Sequence, residues 1–278
     1  MAKVLKSQPS MSPEAEEYST TAFKLSKEVL ERAKAILDIA YGTHEDQALD
    51  LYLPDDEITE PVPVLIFVHG GGWTHGYKEW MGFMAPAVTC LPAIFISIGY
   101  RLAPEFKHPE PADDCRMALK WVYDNIGNFR GDPHRIFIGG HSAGGHLSSL
   151  ITLQKDALKA HGLPEDVIKG CFPVSGAYDM ADESRMTLFD SMEDARNASP
   201  IQHVAGNTTP FYLSIGENDL ARLKPQYEAM VSALRQEAGK VEAIEMKDWD
   251  HFQINIENGD VDGVWATTVR KWMANTPE

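Results

Sequence analysis

Five short apolar runs dominate the hydrophobic pattern of the chain. They are rich in β-branched and aromatic residues and cover residues 62–70, 93–100, 135–142, 168–176 and 210–217. Such runs are typical of strands covered on both faces, as in a parallel sheet. Segments with helical spacing separate several of them, and a last strand precedes a closing helix; these segments are residues 113–129, 143–158, 222–239, 240–246 and 261–275. The alternation predicts an α/β fold with a mostly parallel, doubly wound sheet and helices on both faces.

The N-terminal part of the chain has a different pattern. Ser12 and Pro13 suit the N-cap and the first turn of a helix, and apolar residues between positions 23 and 37 roughly follow helical spacing. We therefore expect one or two helices within residues 12–42. Residues 48–54 then alternate between apolar and polar, which predicts a half-buried strand.

Residues 178–206 interrupt the alternation of strands and helices. They lie between two predicted strands and contain no strand pattern of their own. We interpret them as a helical insertion over the carboxyl ends of the strands, the edge at which ligands bind in such sheets. The prediction is one domain, residues 1–278, with a small helical cap contributed by residues 1–42 and 178–206.

Charge and composition narrow the possible partners. A formal net charge of −16 disfavours nucleic acid, whose backbone needs Lys and Arg to neutralise it. Three scattered cysteines do not suggest a disulfide framework or a zinc site, and no metal-ligand cluster is visible. No secretory signal and no apolar stretch of roughly 18 residues is visible. We expect a cytoplasmic protein without membrane insertion, metal or organic cofactor.

A nucleophile is predicted where the third apolar run meets a helix. Residues 140–144, GHSAG, match the G-x-S-x-G pattern, with a strand before and a helix after. In such a strand-to-helix turn the serine sits on a tight bend, and the flanking glycines make room for it. The turn would lift the Ser142 hydroxyl above the sheet edge. His141 flanks the serine, and we expect its side chain to point away from the nucleophile while helping to line the substrate pocket.

A glycine triplet follows the first apolar run, in HGGGW at residues 69–73. Successive glycines let backbone N–H groups approach a substrate without a blocking Cβ. We expect the amides of Gly71 and Gly72, with that of Ala143 after the nucleophile, to form a three-donor oxyanion hole. Trp73 is expected to contribute an aromatic wall to the pocket, and His69 to brace the loop.

A serine nucleophile needs a base, and the base needs an orienting acid. Of the ten histidines, His251 has the right position, in a loop after the last strand and before the last helix. Asp219 and Glu217 both lie in the turn after the preceding strand. Asp219 is the preferred acid, because Glu217 is still close to the strand end.

These motifs resemble the α/β-hydrolase fold and, within it, the carboxylesterases similar to hormone-sensitive lipase. The matching stretches are HGGGW, YRLAPE at 100–105, GHSAG, and the pair GENDL at 216–220 and DHF at 250–252, with a softer match at 111–122. The resemblance implies Ser142 as nucleophile, Asp219 as acid and His251 as base. Leu220 replaces the usual proline after the acid, and other features are similar to feruloyl and acetyl-xylan esterases and to arylformamidases.

The expected activity is therefore hydrolysis of small carboxylic esters, short-chain or aromatic, through an acyl-enzyme. The alternative is an amidase of the arylformamidase type, with substrates like N-formylkynurenine. A third possibility is a ligand-binding relative without catalysis, which would lack a member of the triad. The expected partner is a small ester or amide, and a homodimer could form through the last strand and helix.

Overall fold

A computed structural model describes Leu5, residues 8–181 and residues 187–275 of the chain. Within these residues, eight strands form one sheet. They are β1 (Lys34–Ala40), β2 (Ala48–Leu53), β3 (Val62–Val68), β4 (Ile94–Ile98), β5 (Gly131–His141), β6 (Ile168–Val174), β7 (Phe211–Asn218) and β8 (Val241–Asp250). Their order is β1-β2-β4-β3-β5-β6-β7-β8, with β1–β2 and β2–β4 antiparallel and every later pair parallel. The predicted mostly parallel α/β sheet is confirmed.

Helices connect the strands and cover both faces of the sheet. The described α-helices are α1 (Pro13–Leu30), α2 (Ala85–Thr89), α3 (Glu110–Asn125), α4 (Ala143–Leu153), α5 (Lys155–Ala160), α6 (Met192–Asn197), α7 (Lys224–Leu234), α8 (Gln253–Glu257) and α9 (Val264–Asn275). Short 3₁₀ helices occupy Lys78–Met84, Ile126–Phe129 and Pro200–His203. The helices predicted in the second half of the chain lie where the helical spacing indicated them.

The two faces of the sheet are filled differently, and β3 shows how. Successive side chains of a strand point to opposite faces. Val64 and Ile66 pack in a core with α3, α4 and α7, which is dominated by branched aliphatic residues. Leu65 and Phe67 pack on the other side with α1, α2 and α9, where aromatic side chains predominate. Burial on both faces explains why these strands are unbroken apolar runs in the sequence.

Of the one or two helices predicted within residues 12–42, the structure has one, and the second part of the segment is a strand. The helix α1 begins after Ser12, whose side chain accepts a hydrogen bond from the amide of Ala15, but it ends at Leu30. Residues 34–40 instead form the edge strand β1. Asp38 has a φ of 58°, and the pairing with β2 shifts in register around it. This bulge breaks the regular alternation, so the segment does not have the pattern of a strand.

The insertion between β6 and β7 is partly helical. It contains α6 and the 3₁₀ helix Pro200–His203, while residues 182–186 of the predicted cap lie outside the described residues, as do residues 1–4, 6 and 7. In the part of the chain that the structure describes, no helix is both long enough and apolar enough to cross a membrane.

Candidate active site

The predicted site residues meet at one edge of the sheet. Parallel strands place their carboxyl ends on the same edge. Ser142 follows β5 directly, Asp219 follows β7 and His251 follows β8, while the glycine loop begins immediately after β3. Residues far apart in the sequence are thus brought together by the parallel order of the sheet.

The turn that carries Ser142 depends on glycine at both sides. Ser142 has φ 56° and ψ −115°, a conformation that a residue with a side chain rarely adopts. A Cβ on Gly140 would lie 2.3 Å from the carbonyl oxygen of Gly144, and a Cβ on Gly144 would lie 2.0 Å from that of Val68. The strand-to-helix turn can therefore close only because these positions lack side chains.

Ser142, His251 and Asp219 form a continuous hydrogen-bonded chain. His251 Nε2 lies 2.9 Å from Ser142 Oγ, and His251 Nδ1 lies 2.7 Å from Asp219 Oδ1. A carboxylate only accepts hydrogen bonds, so Nδ1 carries the proton and Nε2 is the acceptor for the serine hydroxyl. The three side chains have the arrangement needed to remove a proton from the serine.

Asp219 is held as an anion by several donors. Burial opposes its charge, but the hydrogen bond and the charge of His251, with hydrogen bonds from the Ser175 hydroxyl and the Leu220 amide, hold the pKa of Asp219 below its usual value. Ser175 Oγ donates to Oδ2 over 2.5 Å, and the Leu220 amide donates to Oδ1 over 2.7 Å. Glu217, the other acid considered, is exposed and accepts a hydrogen bond from the Asp248 amide at 2.9 Å.

Two glycines of the loop after β3 line the cavity and have positive φ angles. Gly71 has φ 117° and Gly72 has φ 61°, both in the region that favours glycine. Within the described residues the amides of Gly71 and Gly72 donate no backbone hydrogen bond, and Ala143 is the first residue of α4, where an N–H has no intrahelical acceptor. A Cβ on Gly71 would lie 2.0 Å from the carbonyl oxygen of His75, so the loop conformation requires glycine there.

His69 fixes the start of this loop. Its Nδ1 donates to the carbonyl oxygen of Gly70 over 2.7 Å, and its ring stacks on Tyr100 with centroids 4.3 Å apart. The Tyr100 hydroxyl donates to the His69 carbonyl oxygen over 3.1 Å. Burial lowers the pKa of His69 to about 4, so the ring is neutral at physiological pH.

His141 couples the nucleophile turn to the loop that carries His251. Its Nε2 donates to the carbonyl oxygen of His251 over 2.7 Å, and its ring lies 4.9 Å from the His251 ring and 5.7 Å from that of Tyr18. Burial, followed by the proximity of His251, lowers the pKa of His141 to about 3, so it is neutral at physiological pH. His141 borders the cavity as predicted for a lining residue, but its donor is used within the protein.

Trp73 also borders the cavity, and its indole is held in place. The Trp73 Nε1–H donates to His146 Nδ1 over 3.0 Å, and His146 Nε2 donates to the carbonyl oxygen of Ala198 over 2.7 Å. A buried histidine on α4 thus connects the glycine loop to the insertion between β6 and β7. Trp73 itself has a φ of 62°, so the backbone turn continues through this residue.

A cavity of about 100 Å³ opens above Ser142. Its wall includes Met11 and Tyr18 from the N-terminal segment. Gln8 fixes this segment to the loop below, because its side-chain oxygen accepts from the Gly76 amide over 2.8 Å and its amide nitrogen lies 3.4 Å from the Gly76 carbonyl oxygen. The Tyr18 hydroxyl accepts a hydrogen bond from Asn255 Nδ2 over 2.8 Å, which joins α1 to the segment after His251.

Several of these residues were not predicted from the sequence. Ser175 follows β6 at the same sheet edge as the other site residues, and that position was the signal that could have identified it. Met11, Tyr18 and Asn255 are joined to the site by contacts between distant parts of the chain, and no local motif marks them. Among the residues that the structure describes, no group of three or more His, Cys, Asp or Glu side chains is arranged to hold a metal ion.

Comparison with known proteins shows the family to which the chain belongs. The BD-FAE family model matches residues 49–167, and the model described as the prolyl oligopeptidase family matches residues 109–277, more than half of the chain. Kynurenine formamidase of Salmo salar is 30% identical over 256 residues, which cover 87% of this chain and 84% of that protein. The chain belongs to the α/β-hydrolase superfamily. The resemblance noted from the motifs is thereby confirmed.

Esterases are also among the relatives of this α/β-hydrolase. Esterase LipC of Mycobacterium tuberculosis is 34% identical over 221 residues, which cover 71% of this chain and 54% of LipC. The chain thus spans about half the length of LipC. It likewise covers 56% of a probable isoprenylcysteine α-carbonyl methylesterase of Arabidopsis thaliana.

Solved structures agree with the fold of this α/β-hydrolase. The thermophilic carboxylesterase EstE1, cloned from a metagenomic library, has a TM-score of 0.73 at 20% identity and covers 93% of this chain and 97% of its own. A hyperthermophilic esterase from the archaeon Pyrobaculum calidifontis has a TM-score of 0.71 at 22% identity and covers 98% of this chain and 93% of its own. At these identities the likeness concerns the fold.

Proposed function

We propose that this α/β-hydrolase is a serine hydrolase that cleaves small carboxylic esters through an acyl-enzyme, with Ser142 as nucleophile, His251 as base and Asp219 as orienting acid. One observation carries the proposal: His251 lies within hydrogen-bond distance of both other side chains, at 2.9 Å from Ser142 Oγ and 2.7 Å from Asp219 Oδ1. The esterases among its relatives support the same reaction type.

The reaction begins with proton transfer. His251 Nε2 takes the hydroxyl proton of Ser142 while Oγ attacks the ester carbonyl carbon, and Asp219 stabilises the imidazolium that forms. His251 then returns the proton to the departing alcohol, which leaves Ser142 acylated. A water molecule, deprotonated by the same nitrogen, attacks the acyl carbon, and the proton passes back to Ser142 Oγ as the acid is released.

The oxyanion that forms in each step needs donors placed in advance. The amides of Gly71, Gly72 and Ala143 are assigned this role, since Gly71 and Gly72 line the cavity, Ala143 follows Ser142 as the first residue of α4, and none of the three donates a backbone hydrogen bond within the described residues. Losing one such donor costs about 3–4 kcal/mol of transition-state stabilisation in a serine protease. The oxyanion is therefore held without a metal ion or organic cofactor in this scheme.

The cavity supports a small acyl group. Its volume is about 100 Å³, and Trp73 and Met11 limit its extent. In this proposal the protein is a single-domain enzyme whose cap comes from residues 1–42 and 178–206, with α1 and α6 among its described elements. Short-chain and compact aromatic esters are the substrates that such a cavity accommodates.

An arylformamidase is the second candidate function. The observation that favours it is the kynurenine formamidase of Salmo salar, which this chain matches over 84% of that protein's length at 30% identity. The same residues would act, with His251 protonating an aryl amine instead of an alcohol. The formyl group is smaller than any other acyl group, so the cavity size is compatible with both reactions.

Steady-state kinetics on purified protein separate these possibilities. The panel contains 4-nitrophenyl esters of acetate, butyrate, hexanoate and octanoate, with N-formylkynurenine as the formamide. We expect the highest kcat/KM for acetate or butyrate; a formamide kcat/KM far above that of every ester would replace the esterase assignment with the formamidase.

A matched pair of variants tests the nucleophile. Ser142→Ala should lower kcat by about 10⁴–10⁶-fold, as removal of a serine nucleophile does elsewhere. Ser232→Ala changes an exposed serine on α7 and should leave kcat within twofold. Retention of hydrolysis by the first variant would overturn the catalytic assignment and favour a binding protein that does not use this serine.

Cellular location and assembly belong to the proposal as well. We place the enzyme in the cytoplasm, because three scattered cysteines fit a reducing compartment, and we expect no nucleic-acid partner, because the net charge is −16. A homodimer through β8 and α9 stays a prediction, which light scattering after gel filtration would test.

A further inference from the structure

Among the described residues that line the cavity above Ser142, one is an arginine and none is a lysine, aspartate or glutamate. Apolar and aromatic side chains, glycines, serines and two neighbouring histidines form most of its wall, and no carboxylate borders it. Arg222 is the exception, contributed by the turn after β7. Arg222 thus places a positive charge at the cavity of a protein whose formal net charge is −16.

The backbone that carries Arg222 is fixed. Leu220 donates its amide hydrogen to Asp219 Oδ1, and the amide of Leu223 donates to the carbonyl oxygen of Leu220 over 2.8 Å. Leu223 is buried and also lines the cavity, and its carbonyl oxygen accepts from the amide of Tyr227 over 2.8 Å in the first turn of α7. Arg222 thus leaves a rigid turn, while its own side chain is exposed at the cavity mouth.

Arg222 differs from the paired arginines Arg101 and Arg116, and it is the arginine that lines the cavity among the described residues. Arg101 and Arg116 are each bound by an aspartate of α3 at 2.8 and 2.7 Å. Within the described part of the chain, Arg222 has neither an ion pair nor a hydrogen bond. Its donors are therefore available to a molecule that enters the cavity.

We propose that Arg222 binds a carboxylate of the substrate, so that the preferred substrates are esters or amides that carry a carboxylate near the bond that is cleaved. A guanidinium presents two parallel N–H donors that match the two oxygens of a carboxylate, which makes arginine selective for this group. This inference rests on the proposed hydrolase function and adds the class of substrate to it.

The carboxylate could belong to the acyl part or to the leaving group, and two substrate pairs distinguish these sources. Monoethyl glutarate and ethyl pentanoate differ by a carboxylate on the acyl side. The ester 4-acetoxybenzoate and its methyl ester differ by a carboxylate on the leaving group. The measurement is the ratio of kcat/KM for the anionic member to that for the neutral member, at pH 7.5 and low ionic strength.

We expect Arg222→Gln to lower this ratio in one of the pairs by about tenfold, mainly through KM, as loss of a partly exposed charged contact does. Arg222→Lys keeps the charge but not the paired donors and should recover part of the ratio. In the wild type, raising the ionic strength from about 0.02 to 0.5 M should reduce the ratio, because salt screens an exposed ion pair. Arg235→Gln, an exposed arginine after the other end of α7, is the matched control and should leave both ratios within twofold.

The ratio separates substrate recognition from an indirect effect on the triad. If Arg222 acted only through nearby Asp219, anionic and neutral esters would lose activity equally and both ratios would stay constant, which would overturn the inference. Ratios that do not change while neutral esters are hydrolysed in a Ser142-dependent way would overturn the inference about Arg222 alone. Absence of any Ser142-dependent hydrolysis would overturn the proposed function and this inference together.

Discussion

The cavity floor and the N-terminal cover meet at the same site but are attached in different ways. The cavity floor comprises Ser142, Asp219, His251 and the loop at Gly71 and Gly72; the N-terminal cover is residues 8–30. In the floor, backbone atoms approach so closely that a single Cβ would lie 2.0 Å from a carbonyl oxygen. The cover is attached through side chains, such as the two hydrogen bonds of Gln8 with Gly76.

This difference separates catalysis from selectivity. Backbone contacts leave no freedom, because a protein interior is packed too tightly to absorb an added methyl group next to a carbonyl. Side-chain contacts at a surface can change one at a time with small effects on stability. Substitutions in the floor should therefore affect all substrates, whereas substitutions in the cover should change the preference among them.

The largest effect is expected at the acid. Asp219→Asn should lower kcat by about 10³–10⁴-fold, because the amide no longer holds the His251 proton on Nδ1. Glu217→Gln is the matched control two residues earlier, near the end of β7, and it should stay within twofold, since Glu217 is exposed and its carboxylate accepts a hydrogen bond from the Asp248 amide. Steady-state rates with a 4-nitrophenyl ester give kcat for both variants. A comparable loss in the two would mean that the acid is not Asp219.

A slightly smaller loss is expected from the turn around the nucleophile. Gly144→Ala places a methyl group against the Val68 carbonyl oxygen and should reduce kcat/KM for every ester by at least about 10²-fold, because displacing the turn moves Ser142 relative to His251. Gly127→Ala is the control, since a Cβ there meets no atom within 4 Å.

Thermal unfolding distinguishes two causes of that loss. A variant that unfolds at the temperature of the wild type but has lost activity has a displaced nucleophile, whereas a lower unfolding temperature indicates strain spread through the fold. Wild-type activity and stability in Gly144→Ala would contradict the close packing of the floor.

Effects in the cover should be smaller and should depend on the substrate. Met11 borders the cavity, and its Cε would lie 3.3 Å from a Cβ on Gly72. Met11→Ala widens the space above Gly72 and should raise kcat/KM for hexanoate relative to acetate esters by about three- to tenfold, the effect of one or two methylene groups in an apolar pocket. Leu91→Ala removes a similarly exposed apolar side chain outside the cavity and should not change this ratio.

The smallest effect concerns stability in mild acid and involves two buried histidines beside the floor, His69 and His141. His69 and His141 have pKa values of about 4 and about 3 in the folded protein because of burial, and 6.5 is the usual value. Between pH 6.5 and these lower values the unfolded chain binds more protons than the folded one. The contribution of the two histidines to the free energy of unfolding is therefore fully present above pH 6.5 and is lost as the pH decreases. Each histidine contributes at most about 1.4 kcal/mol per pH unit to this decline.

Urea denaturation at pH 7.5, 6.0 and 5.0 measures the free energy of unfolding. Replacing one of the two rings, as in His141→Gln, should make the pH dependence less steep, because the ionising group is absent. The amide of glutamine can still donate to the carbonyl oxygen of His251. An equally steep decline in that variant would contradict the role of the buried imidazole.

The parts of the site predicted from the sequence are those encoded locally. Gly140, Ser142 and Gly144 lie within five residues, and the turn geometry that they require follows from their spacing alone. The strands β3 to β7 were predicted for a similar reason, because burial on both faces produces continuous apolar runs. The choice between Asp219 and Glu217 depended on which side chain is buried, and the structure shows that Asp219 is the buried one.

The parts that were missed depend on contacts between distant residues. The strand β1 is an edge strand whose alternation is broken by Asp38, so only its pairing with β2 identifies it. The contact between Tyr18 and Asn255 joins residues 237 positions apart, and neither belongs to a motif. Arg222 resembles any other surface arginine in the sequence, and only the shape of the cavity makes it noticeable.

The hydrogen bond between Tyr18 and Asn255 sets a boundary for engineering this scaffold. Met11 and Ala15 border the cavity from within residues 8–17, so this stretch is a region in which libraries could be randomised to change which compounds are accepted. Tyr18 itself packs against His141 and Phe252, at 5.7 and 5.3 Å between ring centroids. It should therefore be kept unchanged in any such library. Chimeras that exchange N-terminal segments between homologous proteins should accordingly be joined just before this tyrosine.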